Sequence, residues 1–285
     1  MRFDRVIIVD WSSAGVPKTG RDSIWIGTAD RSGTTAENIP TRFQAEQRLA
    51  TICAEVPPND RMLVGVDFGL GYPRGFAQRV TGQASAFALW RWLAERITDT
   101  PENVSNFREV AASLNALSGG GPFWGDARAQ ETAGLPRRKP PLPDGIAAHR
   151  ITETAGRDGG AVPKTMWQLA YAGAVGAQSL TGIPMMHRLR SRFTQSRVWP
   201  FEPMKAEPIV FSEVYPSLIA RTAEAEGFAT KDAAQVTLLA RALFRIGQSG
   251  LLADLFDVDQ PPELLAEEGW ILGAGHAETL RAALG

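Results

Sequence analysis

The sequence predicts an α/β protein, a mixed β-sheet with helices packed on its faces. Two apolar runs, Val6 to Val9 and Met62 to Val66, each end on an aspartate, Asp10 and Asp67. Short apolar runs bounded by turn residues read as buried strands. Segments with helical spacing then alternate with strand-like ones, in the order hairpin, helix, strand, helices, strand, helices. That order belongs to sheets with helices on their faces.

At 285 residues the chain can bury a large core. We read residues 1–285 as one domain, with 100–200 an inserted helical and loop region. Apolar residues make up 44% and charged residues 21%, the balance of an ordinary water-soluble fold. The net charge of −1 advertises neither nucleic acid nor a membrane surface, although a locally basic groove remains compatible with it. One cysteine, Cys53, excludes an intrachain disulfide and a multi-cysteine zinc site, and its apolar setting reads as a buried thiol. The opening MRFDRVIIVDW carries acids and does not read as a signal peptide. Nothing approaches the ~18 apolar residues of a membrane span. A cytoplasmic protein without a membrane partner is expected.

In chain order, residues 15–21 read as a turn and 23–28 as a strand alternating around Ile24, Trp25 and Ile26. The short turn makes it an antiparallel partner of the first strand. A third strand over 37–43 contains Pro40, which suits an edge. Leu49, Ile52, Cys53 and Val56 give a helix over 46–56, stopped by Pro57 and Pro58. Helices follow the Asp67 strand over 84–97 and 103–117. Residues 119–163, rich in Gly and Pro, read as a lid-like loop. Two helices are expected over 167–179 and 183–193. A strand and then a helix entered through Pro216 cover 208–220. A strong helix over 232–246 turns Val236, Leu239, Ala240 and Leu243 inward. A short strand at 269–273 and a helix over 277–284 complete the pattern.

Four carboxylates fall at element junctions: Asp10, Asp67, Glu213 and Asp232. A carboxylate ending a buried strand sits where open α/β sheets place ligands. Two such strands side by side bring two like charges to one edge, which is costly unless a cation or proton offsets them. Oxygen ligands suit Mg2+ or Mn2+. Each acid also has a structural reading. Asp10 and Asp67 can cap turns, Glu213 can pair with an arginine, and Asp232 complements a helix dipole.

The phrases VDWSSAG, VGVDFGLGYP, PKTMWQLAYAGAVGAQSLTGIP (163–184), SEVYPSLIA and KDAAQV resemble a bacterial family of predicted nucleases, a domain of unknown function designated DUF 429. The resemblance spans most of the chain. It implies a ribonuclease-H-like fold, with Asp10, Asp67, Glu213 and Asp232 as the metal-binding and catalytic acids. Asp232 carries over least well, because the residues after it, Ala-Ala-Gln-Val, offer no second acid.

Ser12 follows the first acid. Lys164 and Gln168 would lie one turn apart on the expected helix, where a lysine can meet a phosphate. HRLRSRFTQSR, 187–197, holds Arg188, Arg190, Arg192 and Arg197; with Arg137, Arg138 and Lys139 it is the candidate phosphate-tracking surface. A solvated helix face is the plainer reading. GVPKTGRDS lacks the lysine and hydroxyl of a phosphate-binding P-loop, and GLGYPRG misfits the dinucleotide fingerprint. The histidines show no metal spacing, and only His149, in the loop, stays as a candidate. No GxSxG elbow occurs. The function expected is a metal-dependent nuclease or phosphodiesterase acting on DNA, RNA or a small nucleotide. The alternatives are a nucleotide-dependent phosphotransferase of the actin and sugar-kinase kind, or a non-catalytic binding protein.

Overall fold

The computed structural model of the chain describes residues 1–130, 132–155, 163–219, 228 and 230–285. Its strands are β1 (Arg5–Asp10), β2 (Ile24–Asp30), β3 (Gly33–Ile39), β4 (Met62–Val66), β5 (Ser196–Trp199), β6 (Ile209–Val214) and β7 (Ile271–Leu272). They form one mixed sheet in the order β3-β2-β1-β4-β6-β5, with β7 also on β6. The β1–β2 and β2–β3 pairs are antiparallel, and the remaining pairs are parallel. The protein is thus α/β, with helices on both faces of a mixed sheet.

The helices are α1 (Arg42–Ala54), α2 (Phe76–Thr81), α3 (Ala86–Ala94), α4 (Phe107–Ser118), α5 (Ile151–Ala155), α6 (Gly176–Arg192), α7 (Lys231–Ser249), α8 (Leu252–Phe256), α9 (Pro262–Glu268) and α10 (Ala277–Ala282). Side-chain alternation sorts them. Ile7, Val9, Val64, Val66 and Phe211 point into one core layer with α1, α3, α4 and α6. Val6, Ile8, Leu63, Val210 and Val214 point into the other, where Val236, Leu239, Ala240 and Leu243 of α7 meet them. Each fully buried aliphatic side chain contributes about 1.5–3 kcal/mol.

Local chemistry sets the helix ends. Thr41 caps α1 by accepting from the Gln44 N–H at 3.2 Å, and Thr230 caps α7 by accepting from Ala233 at 3.1 Å. Gly27 lets α7 lie directly on β2, since a Cβ there would stand 2.5 Å from the Val236 carbonyl oxygen. This close approach brings the start of α7 to the carboxyl ends of β1 and β4.

Several expectations are corrected. The third strand ends at Ile39, before Pro40, which can supply no ladder N–H. Residues 163–175 are not helical. Tyr171 and Gly173 take left-handed backbone angles, φ 75° and 76°, and Gln168 pairs with Trp124 in an isolated bridge. One helix, α6, replaces the two expected, with Pro184 inside it. After the last arginine-rich turn the chain enters a strand, β5, which the pattern did not predict. Pro216 opens a 3-10 turn, Pro216–Ile219; the rest of that expected helix lies outside the described residues, as do 131 and 156–162 of the expected lid. The described part of 119–155 is packed down rather than open. Asn115 holds both the N–H and the carbonyl of Phe123, and Asp126, fully buried, accepts from Arg128 and Thr132.

Candidate functional site

β1 and β4 are parallel neighbours with Val9 beside Val66, so the next residues, Asp10 and Asp67, emerge together at the carboxyl edge. Alternation turns both toward the α7 face. Both are half-buried, and their carboxyl groups share a hydrogen bond. Asp67 Oδ1 also accepts the Trp11 backbone N–H at 2.8 Å. Loss of hydration pushes the Asp67 carboxyl up to about 7. It also holds Asp10 well above the ordinary aspartate range, with the negative charges of Asp67, Asp232 and Asp22 adding to it. Both shifts displace proton loss from the pair to higher pH than for two free aspartates. Two carboxylates this close cannot both ionise cheaply without a counter-charge.

Asp232, in the first turn of α7, joins them on the same face of the sheet. Its Oδ2 accepts the Asp22 backbone N–H at 2.7 Å, fastening the long β1–β2 loop to α7. Asp22 itself, at φ 53°, is a fourth acid beside the pair that sequence reasoning missed. It lies in a loop with no periodicity, and the one local hint was its place in a turn.

Glu213 belongs to a different arrangement. It pairs in register with Val66, not Asp67, and so points into the opposite core layer. There Arg150 grips it with both terminal nitrogens, at 2.7 and 2.5 Å, and the Leu70 N–H donates to it at 2.9 Å. Arg150 is itself buried; it also donates to Glu153 Oε1 at 2.9 Å and to the Glu268 carbonyl at 2.9 Å. Glu213 thus anchors the segment around α5 to the sheet. His149 contacts Glu153 Oε2 from the rim at 3.0 Å.

The candidate substrate-binding residues divide. Ser12 lies beside the acids; its hydroxyl donates to the Asp22 carbonyl and accepts from the Ala14 N–H. Lys164 is exposed, and Gln168 donates to the Ala170 carbonyl at 2.8 Å, so no helix brings these two together. Arg188 is clamped by Glu46 at 2.7 and 2.6 Å. Arg190 pairs with Glu202 and lies over the Phe87 ring. Arg188 and Arg192 line a groove of about 570 Å3 between α1 and α6, which Trp11 also lines.

Among the described residues, no group of three or more His, Cys, Asp or Glu side chains has the geometry of a metal cage. No described helix is long and apolar enough to cross a membrane. Comparison with protein-family models, curated proteins and solved structures finds no match.

Proposed function

We propose that the chain is a metal-dependent nuclease or phosphodiesterase of the ribonuclease-H-like, DUF 429 kind. One observation carries this reading: the Asp10 and Asp67 carboxyl groups stand within hydrogen-bond reach of each other at the carboxyl ends of adjacent parallel strands. The strand order, with three antiparallel strands leading into parallel ones, is compatible with that fold.

The donor set fits Mg2+ or Mn2+. Magnesium is commonly held by only one or two carboxylates, with water and substrate phosphate oxygens completing its shell. Asp10 and Asp67 would be the ligands, and Asp232 would add negative charge from α7. Glu213 has both oxygens engaged by Arg150 and supports the edge instead. A bound ion would activate water and offset charge on the phosphoryl oxygens. The chain's own part is to hold two hard ligands together at a half-buried edge.

The test is cleavage of single- and double-stranded DNA, RNA, a hybrid and a four-way junction with manganese, wild type beside Asp10→Asn. Cutting by the wild type alone supports the reading and names the substrate. If neither protein cuts, polynucleotides drop out as substrates.

A further inference from the structure

We infer that residues 12–15, the loop that follows Asp10, form a seat for a phosphate oxygen, with the N–H groups of Ser12, Ser13 and Gly15 as its donors. This deepens the metal-nuclease reading and rests on it for the identity of the ligand.

The inference comes from where the loop's carbonyls go. Gln178 Nε2 donates to the Trp11 carbonyl at 2.7 Å. Arg42 Nη1 donates to the carbonyls of Ser12 and Ala14, at 3.1 and 2.8 Å. In a trans peptide the N–H of the next residue points opposite to the carbonyl. Fixing these three carbonyls therefore aims the amides of Ser12, Ser13 and Gly15 the other way.

Gln178 and Arg42 stand on α6 and α1, which pack the first core layer. The three amides thus turn toward the opposite side, the one that Asp10 and Asp67 share. The intervening amides are already used: Trp11 donates to Asp67, and Ala14 donates to the Ser12 hydroxyl. Those of Ser12, Ser13 and Gly15 have no acceptor among the described residues.

The carbonyl clamp is rigid. Arg42 is 3% exposed, and its remaining donors go to both Asp99 oxygens and the Asn103 carbonyl. Successive backbone N–H groups aimed one way make an anion-binding concavity. The neighbouring aspartates would repel a bare phosphate, so a divalent cation on Asp10 and Asp67 must strengthen its binding. By linkage, phosphate must then strengthen cation binding equally.

The experiment is a titration of 15N-labelled protein with inorganic phosphate, with and without magnesium, read at the backbone amides. Phosphate should shift Ser12, Ser13 and Gly15, and bind more tightly with magnesium present. Gly15→Pro, which deletes one donor, should weaken binding at least tenfold. Gly15→Ala should bind within twofold of wild type, since a Cβ there meets nothing within 4 Å. Gln178→Leu should silence the Ser12 shift alone, because only the Trp11–Ser12 peptide depends on it. Unshifted amides, or a Gly15→Pro protein that binds like the wild type, would overturn the seat. Magnesium affinity unchanged in Asp10→Asn would instead overturn the metal reading, and the amide shifts would still judge the seat.

Discussion

The Trp11 N–H donates to Asp67 Oδ1 at 2.8 Å, so the backbone just after one acid holds the side chain of the other. Asp10 and Asp67 are therefore fixed relative to each other by main chain as well as by the hydrogen bond between their carboxyl groups. Burial of the pair has a measurable cost in pH dependence. Burial pushes the Asp67 carboxyl up to about 7 in the folded protein, against about 3.9 for a free aspartate. Between those values the folded state holds more protons than the unfolded chain. The pair's contribution to stability thus falls as pH rises through that window. Asp67→Asn has no such proton to lose. Relative to wild type it should gain on the order of 4 kcal/mol between pH 4 and pH 8, read by urea unfolding at both values. Millimolar magnesium should shrink that gain by stabilising the wild type at high pH.

Glu213 predicts a contrasting phenotype. Glu213→Gln leaves the buried Arg150 with Glu153 as its remaining carboxylate and should cost about 3 kcal/mol. Manganese affinity, measured calorimetrically on the folded fraction, should stay within about twofold, while Asp10→Asn should lose at least about tenfold, or roughly 1.4 kcal/mol. Equal losses in the two variants would place Glu213 among the ligands.

Gly27 couples packing to the site. The Gly27→Ala Cβ would strike the Val236 backbone, forcing α7 off the sheet. About 1–3 kcal/mol of overpacking cost is expected. The same shift would carry Asp232 away from Asp10, so the variant should also bind manganese more weakly at a temperature where it remains folded.

Arg42 makes five hydrogen bonds from a buried position, two of them to Asp99. Arg42→Met should destabilise by about 3 kcal/mol or more, because Asp99 loses its partner. Arg42→Lys should rescue little of this, since a lysine lacks the planar fork. Hydrogen exchange should rise at residues 12–16 and 100–104 in both variants before it rises in α7.

How much of this was legible in the sequence depends on the distance over which each feature is decided. Asp10 and Asp67 could be read because a buried run and its terminal acid are contiguous, and α7 because its apolar face repeats along the helix. The direction of Glu213 could not, because it turns on register: a one-residue difference in pairing exchanges the two faces of a strand. Its partner Arg150 lies 63 positions away in a stretch without periodicity. Residues 167–175 have helix-like composition, yet Tyr171 and Gly173 adopt left-handed angles that end any helix there. β5, only four residues long, is too short to show alternation.

The sheet's two margins differ in a way that bears on self-association. β4 occupies one side of β6 through Glu213, so β5 and β7 must share the other, end to end. That margin is broken into stretches of four and two residues. Neither is long enough to template a foreign strand. At the other margin β3 runs seven residues with no described strand on its outer side, guarded by the Glu37–Arg48 ion pair and by Pro40 just beyond its end. Charge and proline are the ordinary defences of an exposed edge. Fibre formation by a partly unfolded population should therefore begin at β3. Replacing Glu37 with valine would remove that guard without disturbing the acids at the carboxyl edge.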